Sequence, residues 1–308
     1  MHSVTIARNI LQSNSLGWLV RQLQGVPSGV DLNVDMSDLG FVNPVGLAVL
    51  TAFLKKHQRN GNRISIQDPR NQNVMDYINR VGFYDQIGVH REYPWQKHDP
   101  AGRFIELQNP GSEEEGERAV SDIVKILQHN SANLQGVLDG IEYAFYEIVN
   151  NVFHHAQSPV SGVLAAQFYT DEFRPGQGML RVAGRVEIAV VDMGQGIYGS
   201  MSKRFSLSGN EEAIRKALKP RVTSRPEYNS GEGLFFTSEI IRENQGSMVI
   251  YSHDGGMKIT ADKMTYEPGA FWPGTIVWMQ FQAERTLDLQ ALFNRFAPPD
   301  DDYNLIFD

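Results

Sequence analysis

The chain has 308 residues, 41% of them hydrophobic and 21% charged, enough to bury one large or two ordinary globular cores, which sets aside disordered and fibrous architectures. Lys plus Arg is 28 against 36 for Asp plus Glu, a formal net charge of -8, so the surface as a whole repels nucleic acid and anionic membrane. There is no cysteine, which removes thiolate catalysis, disulfides and Cys-ligated zinc. No stretch approaches the roughly 18 apolar residues of a membrane span, and Met1 to Arg8 lacks the pattern of a secretory leader, so a soluble cytoplasmic protein is expected.

The first hundred residues alternate short strand-like and helix-like runs. Strands are predicted at Val4–Ala7, Val30–Val34 and Arg63–Gln67, with helices across Ile10–Leu23, Val45–Gln58 and Asn73–Val81. Pro44 suits a first helical turn, and Gly61 supplies a stop. Gly82 breaks the pattern, and Tyr93–Gly102, rich in Pro, Gly and charge, marks a boundary. The predicted division is an α/β domain over 1–100, a second domain over 101–285, and a C-terminal helix with an acidic tail over 286–308 that includes Asp300–Asp302.

From Ser112 the character changes. Glu113–Glu115 opens a helix with Val120, Ile123, Val124 and Leu127 on one face. A longer amphipathic helix follows, with its stripe at Val137, Ile141, Phe145, Ile148 and Val152, ending near Pro159. Strands are predicted at Val163–Tyr169 and Arg185–Val191, then a polar, Gly-containing stretch over Gly194–Ser230 and a helix at Leu234–Asn244. Two strands, Ser247–Ser252 and Lys258–Thr260, flank Asp254-Gly255-Gly256, which reads as a hairpin turn, and Thr275–Phe281 completes the sheet.

Three segments carry candidate chemistry. In Glu147-Ile-Val-Asn150-Asn151-Val-Phe-His154-His155, helical spacing puts Glu147, Asn151 and either histidine on one polar face. An Asn carbonyl is a hard oxygen ligand suited to Mg²⁺, and a nearby carboxylate can deprotonate a nucleophile, although a solvated helix face explains the same pattern. The second segment, Val186 to Asp192 followed by Gly194, Gly196 and Gly199, is a buried strand ending in a glycine turn. It contains G-x-G-x-x-G, but the polar continuation over 200–210 has no second strand, which sets a dinucleotide-binding unit aside. A carboxylate at Asp192 can instead accept from an exocyclic amine such as adenine's. The third, Gly231-Glu232-Gly233-Leu234, runs into a helix whose first N–H groups suit phosphate; a flexible turn is the simpler alternative.

Together, over residues 112 to 283, these segments resemble the GHKL superfamily, the ATP-binding domain shared by gyrase, Hsp90, MutL, sensor histidine kinases and anti-sigma-factor kinases. Glu147 to Asn151 resembles the N box, Asp192-x-Gly194-x-Gly196 the G1 box, Gly231-x-Gly233-Leu234 the G2 box and Gly274-Thr275 the terminal Gly-Thr. The resemblance implies a Bergerat α/β sandwich with a mixed, mostly antiparallel sheet. It also implies Mg²⁺ on Asn151, Glu147 as general base, and adenine recognition by Asp192 with Thr275. It places Asn150, His154, His155, Gly194, Gly196, Gly231, Gly233 and Leu234 along ATP, and makes Gly199–Ser230 a basic lid from which Arg225 reaches the triphosphate. Glu232 departs from the commoner small or apolar residue.

Residues 30–47, with Asn43-Pro44-Val45-Gly46-Leu47 before a helix, resemble a STAS domain, the fold of anti-sigma-factor antagonists. That family carries a phosphorylatable hydroxyl where this chain has Asn43, Pro44 and Val45. The combination implies an Mg-ATP-binding regulatory protein that phosphorylates a partner on Ser or Thr, or switches with nucleotide, while the STAS-like domain docks. The implied partner is a separate STAS-like or sigma-factor-related regulator, and any acceptor lies on another chain. Alternatives are a GHKL ATPase, an atypical histidine kinase lacking its phosphoacceptor domain, and a module in which ATP is structural. The single helix expected over 112–136 argues against a histidine-kinase hairpin, and the absence of lysine after Phe281 argues against the gyrase type.

Overall fold

The computed structural model describes residues 2–6, 15–27, 29–91, 105–130, 134, 136–174, 178–226 and 230–297. The boundary expected at 93–102, the first part of the Ile10–Leu23 helix and the acidic tail lie outside them. The N-terminal unit is a three-stranded parallel sheet in the order β1 (His2–Thr5), β2 (Leu32–Asp35), β3 (Ile64–Gln67). Helices α1 (Leu16–Leu23), α2 (Pro44–Arg59), α3 (Gln72–Arg80) and the short α4 (Phe83–Gln86) accompany it.

Helix α2 explains how this unit is placed. Asn43 caps it, its Oδ1 accepting from the Gly46 N–H at 3.3 Å, and Pro44 occupies the first turn. Twelve of its 16 residues are buried, which a one-sided amphipathic helix cannot achieve. It packs both on the N-terminal unit and on strands β4 (Gly162–Arg174) and β5 (Gly178–Asp192) of a second sheet. Leu50, fully buried on α2, reports this packing: Leu50→Ala is expected to cost about 2–5 kcal/mol, read as a lowered urea midpoint.

The second sheet has four strands in the order β4, β5, β7 (Met264–Gln282), β6 (Ser247–Thr260), every described pair antiparallel. The expected mixed sheet is thus two sheets, one parallel and one antiparallel. Side chains alternate on β5: Val186, Ile188 and Val190 join one core, while Ala189 and Val191 join the core shared with α1 and α2. With both faces covered, the strand reads as nearly continuous apolar sequence. Glu187 is the exception. It is buried on the α2 side and accepts from Arg185 Nε at 3.2 Å, Trp278 Nε1 at 3.3 Å and Asn43 Nδ2 at 3.4 Å. Burial raises its pKa, and Arg185 opposes the rise.

The other face of this sheet carries helices α5 (Glu113–Asn130), α6 (Leu138–Asn151), α7 (Gly196–Met201), α8 (Asn210–Ala217) and α9 (Gly233–Glu243), with α10 (Leu289–Phe296) against α9. The expected long second helix ends at Asn151, and one π-helical turn, Val152–Ala156, follows. The hairpin expected at Asp254-Gly255-Gly256 is absent. Strand β6 runs straight through it with register shifts beside His253, and the chain reverses later, where Thr260 N–H donates to the Lys263 carbonyl at 3.0 Å. The glycines serve a bulge: a side chain at Gly255 would strike Tyr266 and the Glu267 carbonyl on β7. Among the described residues no helix is long and apolar enough to cross a membrane.

Candidate functional site

A cavity of about 350 Å³ opens between α6, α9 and the ends of β5 and β7. Glu147, Asn150 and Asn151 reach it from α6, His154 and His155 from the π-helical turn, and Asp192 and Thr275 from adjacent strands. Gly196, Gly231, Gly233 and Leu234 complete the match between sequence expectation and cavity wall. Gly194 and Arg225 are not part of that wall.

Asp192 ends β5 and is 3% exposed. Its Oδ1 accepts from Gly194 N–H at 2.7 Å and its Oδ2 from Thr275 N–H at 3.2 Å. Burial pushes its pKa up to about 7, against the lowering effect of these hydrogen bonds. Gly274 is obligatory here, since a side chain would overlap Asp192 itself. Gly194 permits another close approach, because any Cβ would strike the Ala156 carbonyl, which also accepts from Gln195 N–H at 2.8 Å. The G1-type turn is therefore sewn to the end of the π-helical turn.

Glu147 is half-buried, and its carboxylate lies directly against Gly233, where a side chain would displace it. Burial raises its pKa, while a hydrogen bond from the Tyr143 hydroxyl and the proximity of His154 act in the opposite direction. The carboxylate and the start of α9 thus share one edge of the cavity. Asn151 makes no side-chain hydrogen bond to a described residue, and its neighbour Asn150 has a buried Oδ1 without a partner. Asn150 instead donates to the Tyr146 hydroxyl, which donates to Glu117 at 3.0 Å.

The two histidines diverge. His154 Nε2 pairs with Glu113 Oε1 of α5 at 2.9 Å, whereas His155 Nδ1 meets Ser224 Oγ at 3.1 Å, and Ser224 Oγ meets Ser200 Oγ at 2.8 Å. The segment expected as a lid folds over this side as α7, α8 and a return through Thr223 and Ser224. Its basic residues hold it together: Arg204 Nη1 donates to the Thr223 carbonyl at 2.7 Å, Arg215 pairs with Glu211 at 2.7 Å, and Arg221 with Glu232 at 3.4 Å. Glu232, the unusual residue of the glycine loop, therefore anchors the lid base. Thr223 and Ser224 line the cavity and Arg225 stands just beyond them.

Ser252 has no signal in the sequence, yet its Oγ accepts from Ile197 N–H at 3.0 Å and donates to the Gly274 carbonyl at 3.0 Å, tying the glycine turn to β7. Trp272 Nε1 likewise donates to the main-chain carbonyl of Asp192 at 2.9 Å. Among the described residues no group of three or more His, Cys, Asp or Glu side chains is placed to hold a metal, so a cation here depends on carboxamide and ligand oxygens. No protein-family model matches the chain, and no curated protein or solved structure matches it either.

Proposed function

We propose that this chain binds Mg-ATP in the 350 Å³ cavity and acts as a nucleotide-dependent regulator of a protein partner. One observation carries the reading: a buried carboxylate fixed by backbone N–H groups, two carboxamides and a glycine-led helix start converge on one cavity within the usual ligand-pocket range. Asp192 would accept from the adenine amine. The first N–H groups of α9, cleared by Gly231 and Gly233, would face phosphate oxygens. The Asn151 carbonyl, assisted by the partnerless Asn150 Oδ1, would hold Mg²⁺, which when bound supplies charge neutralisation at the triphosphate. This reading also supports the resemblance of the chain to GHKL domains and, for residues 30–47, to STAS domains.

Glu147 would take the proton of an attacking hydroxyl as that oxygen bonds to the γ-phosphorus and the bond to ADP breaks. The acceptor belongs to another chain, for which a STAS-like or sigma-factor-related regulator is the proposed partner. The turn at Asn43-Pro44-Val45 has no hydroxyl, and the nearest ones, Ser37 and Thr51, are 6% and 0% exposed. Calorimetry of the full chain with ATP, with and without Mg²⁺, tests the proposal. Wild type should gain affinity from Mg²⁺, and Asn151→Ala should lose that gain while keeping its metal-free affinity. Absence of any nucleotide heat at millimolar ATP sinks the proposal; an Mg²⁺ gain preserved in Asn151→Ala removes that residue as the ligand.

A further inference from the structure

A second cavity, of about 180 Å³, lies on the opposite side of the antiparallel sheet, where α1 and α2 meet β7. Its walls are mainly apolar: Val20 and Leu23 of α1, Phe53 of α2, and Met193, Trp272 and Pro273. Two polar residues of α2, Lys56 and His57, also line it.

His57 is 6% exposed, and its protonation state follows from its neighbours. Asn62 is fixed in orientation, because its Oδ1 accepts from Gly29 N–H at 3.1 Å and its Nδ2 donates to the Val30 carbonyl. The same Nδ2 lies 3.4 Å from His57 Nδ1 and can act only as donor, so Nδ1 is the acceptor and the ring proton sits on Nε2. Burial, then the nearby Lys56 ammonium, keep the ring neutral. Nε2–H has no hydrogen-bond partner among the described residues. An oriented donor and an ammonium thus border an apolar cavity somewhat larger than the ~150 Å³ apolar cavity that holds benzene in an engineered protein.

We infer that this cavity is a binding site for a small monocyclic aromatic monocarboxylate, its ring among Phe53, Met193 and Trp272 and its carboxylate on His57 Nε2–H and Lys56. The site adjoins the candidate nucleotide site through the chain itself, since Met193 follows Asp192 and the Trp272 indole donates to the Asp192 carbonyl. Its existence does not depend on ATP binding, and both can be tested separately.

The probe is phenylacetate, titrated into the nucleotide-free full chain and followed in the long-range ¹H–¹⁵N histidine spectrum. The free protein should show His57 protonated at Nε2, and phenylacetate should shift that nitrogen. Toluene should bind roughly tenfold more weakly than phenylacetate, and His57→Phe and Lys56→Met should each weaken phenylacetate by a similar factor. Should His57→Phe fail to fold, Lys56→Met and the wild-type tautomer still decide the matter. A proton on Nδ1, no Nε2 shift at millimolar phenylacetate, or equal affinities for toluene and phenylacetate would each overturn the assignment.

Discussion

Asp192→Asn is expected to weaken nucleotide binding by about 1.5–3 kcal/mol, roughly ten- to a hundredfold, the range for a hydrogen bond to a charged group. The two carboxylate oxygens already accept from Gly194 and Thr275 N–H, and both retain lone pairs for an incoming amine. An amide has one accepting oxygen, so its NH₂ must face either a backbone N–H or the adenine amine, donor against donor. The pH dependence has a definite sign. With its pKa near 7 in the free protein, Asp192 is partly protonated at neutrality, and an adenine amine would draw it towards ionisation. Affinity should therefore be full above pH 7 and fall as pH drops below it, with proton release on binding near neutrality. Calorimetry in two buffers of different ionisation enthalpy reads this directly, and a pH-independent affinity shared by wild type and Asp192→Asn would falsify the adenine role.

Glu147→Gln should abolish phosphoryl transfer or hydrolysis, a loss of roughly 10²–10⁴-fold for a general base, while leaving Mg-ATP binding nearly intact. The isosteric amide keeps the packing against Gly233 and a partner for Tyr143. In the wild type, turnover should rise with pH through the pKa of Glu147, which burial holds above the usual carboxylate value. A carboxylate whose folded pKa is raised opposes folding once pH exceeds its unfolded value, so the Gln variant should be no less stable than wild type at pH 8. That distinguishes loss of the base from loss of the fold. Retained turnover in a stably folded Gln variant moves the base elsewhere.

The elements legible in the sequence are those with local chemistry. Pro44 and a run of apolar residues locate α2, the three glutamates locate the start of α5, and the apolar run closed by Asp192 locates β5. Less legible were features decided by neighbours distant in sequence. The all-round burial of α2 comes from a second sheet, and nothing within residues 44–59 names that sheet. Gly255 and Gly256 have the composition of a turn, but the close approach of Tyr266 and Glu267 makes them part of a strand. At the site, helical spacing correctly gathers Glu147 and Asn151. It puts His154 and His155 on one face only if the helix continues regularly, and the π-helical turn sends them to different partners. Asn150, one residue off that face, ends with a buried carbonyl awaiting a donor or cation because Tyr146 engages its amide nitrogen.

The turn from Val152 to Ala156 fits one more residue into a helical revolution than an α-helix would. Its effect is that of a phase shifter between the helix bearing Glu147 and Asn151 and the carbonyl of Ala156 that receives Gln195. Removing a single residue between 152 and 155 would restore the ordinary pitch and swing everything beyond by about 100°. The Ala156 carbonyl would then face away from the Gly194 turn, detaching it from α6 while leaving Glu147 and Asn151 in place. Chain length across these five residues, more than their side chains, sets the timing between the two halves of the cavity.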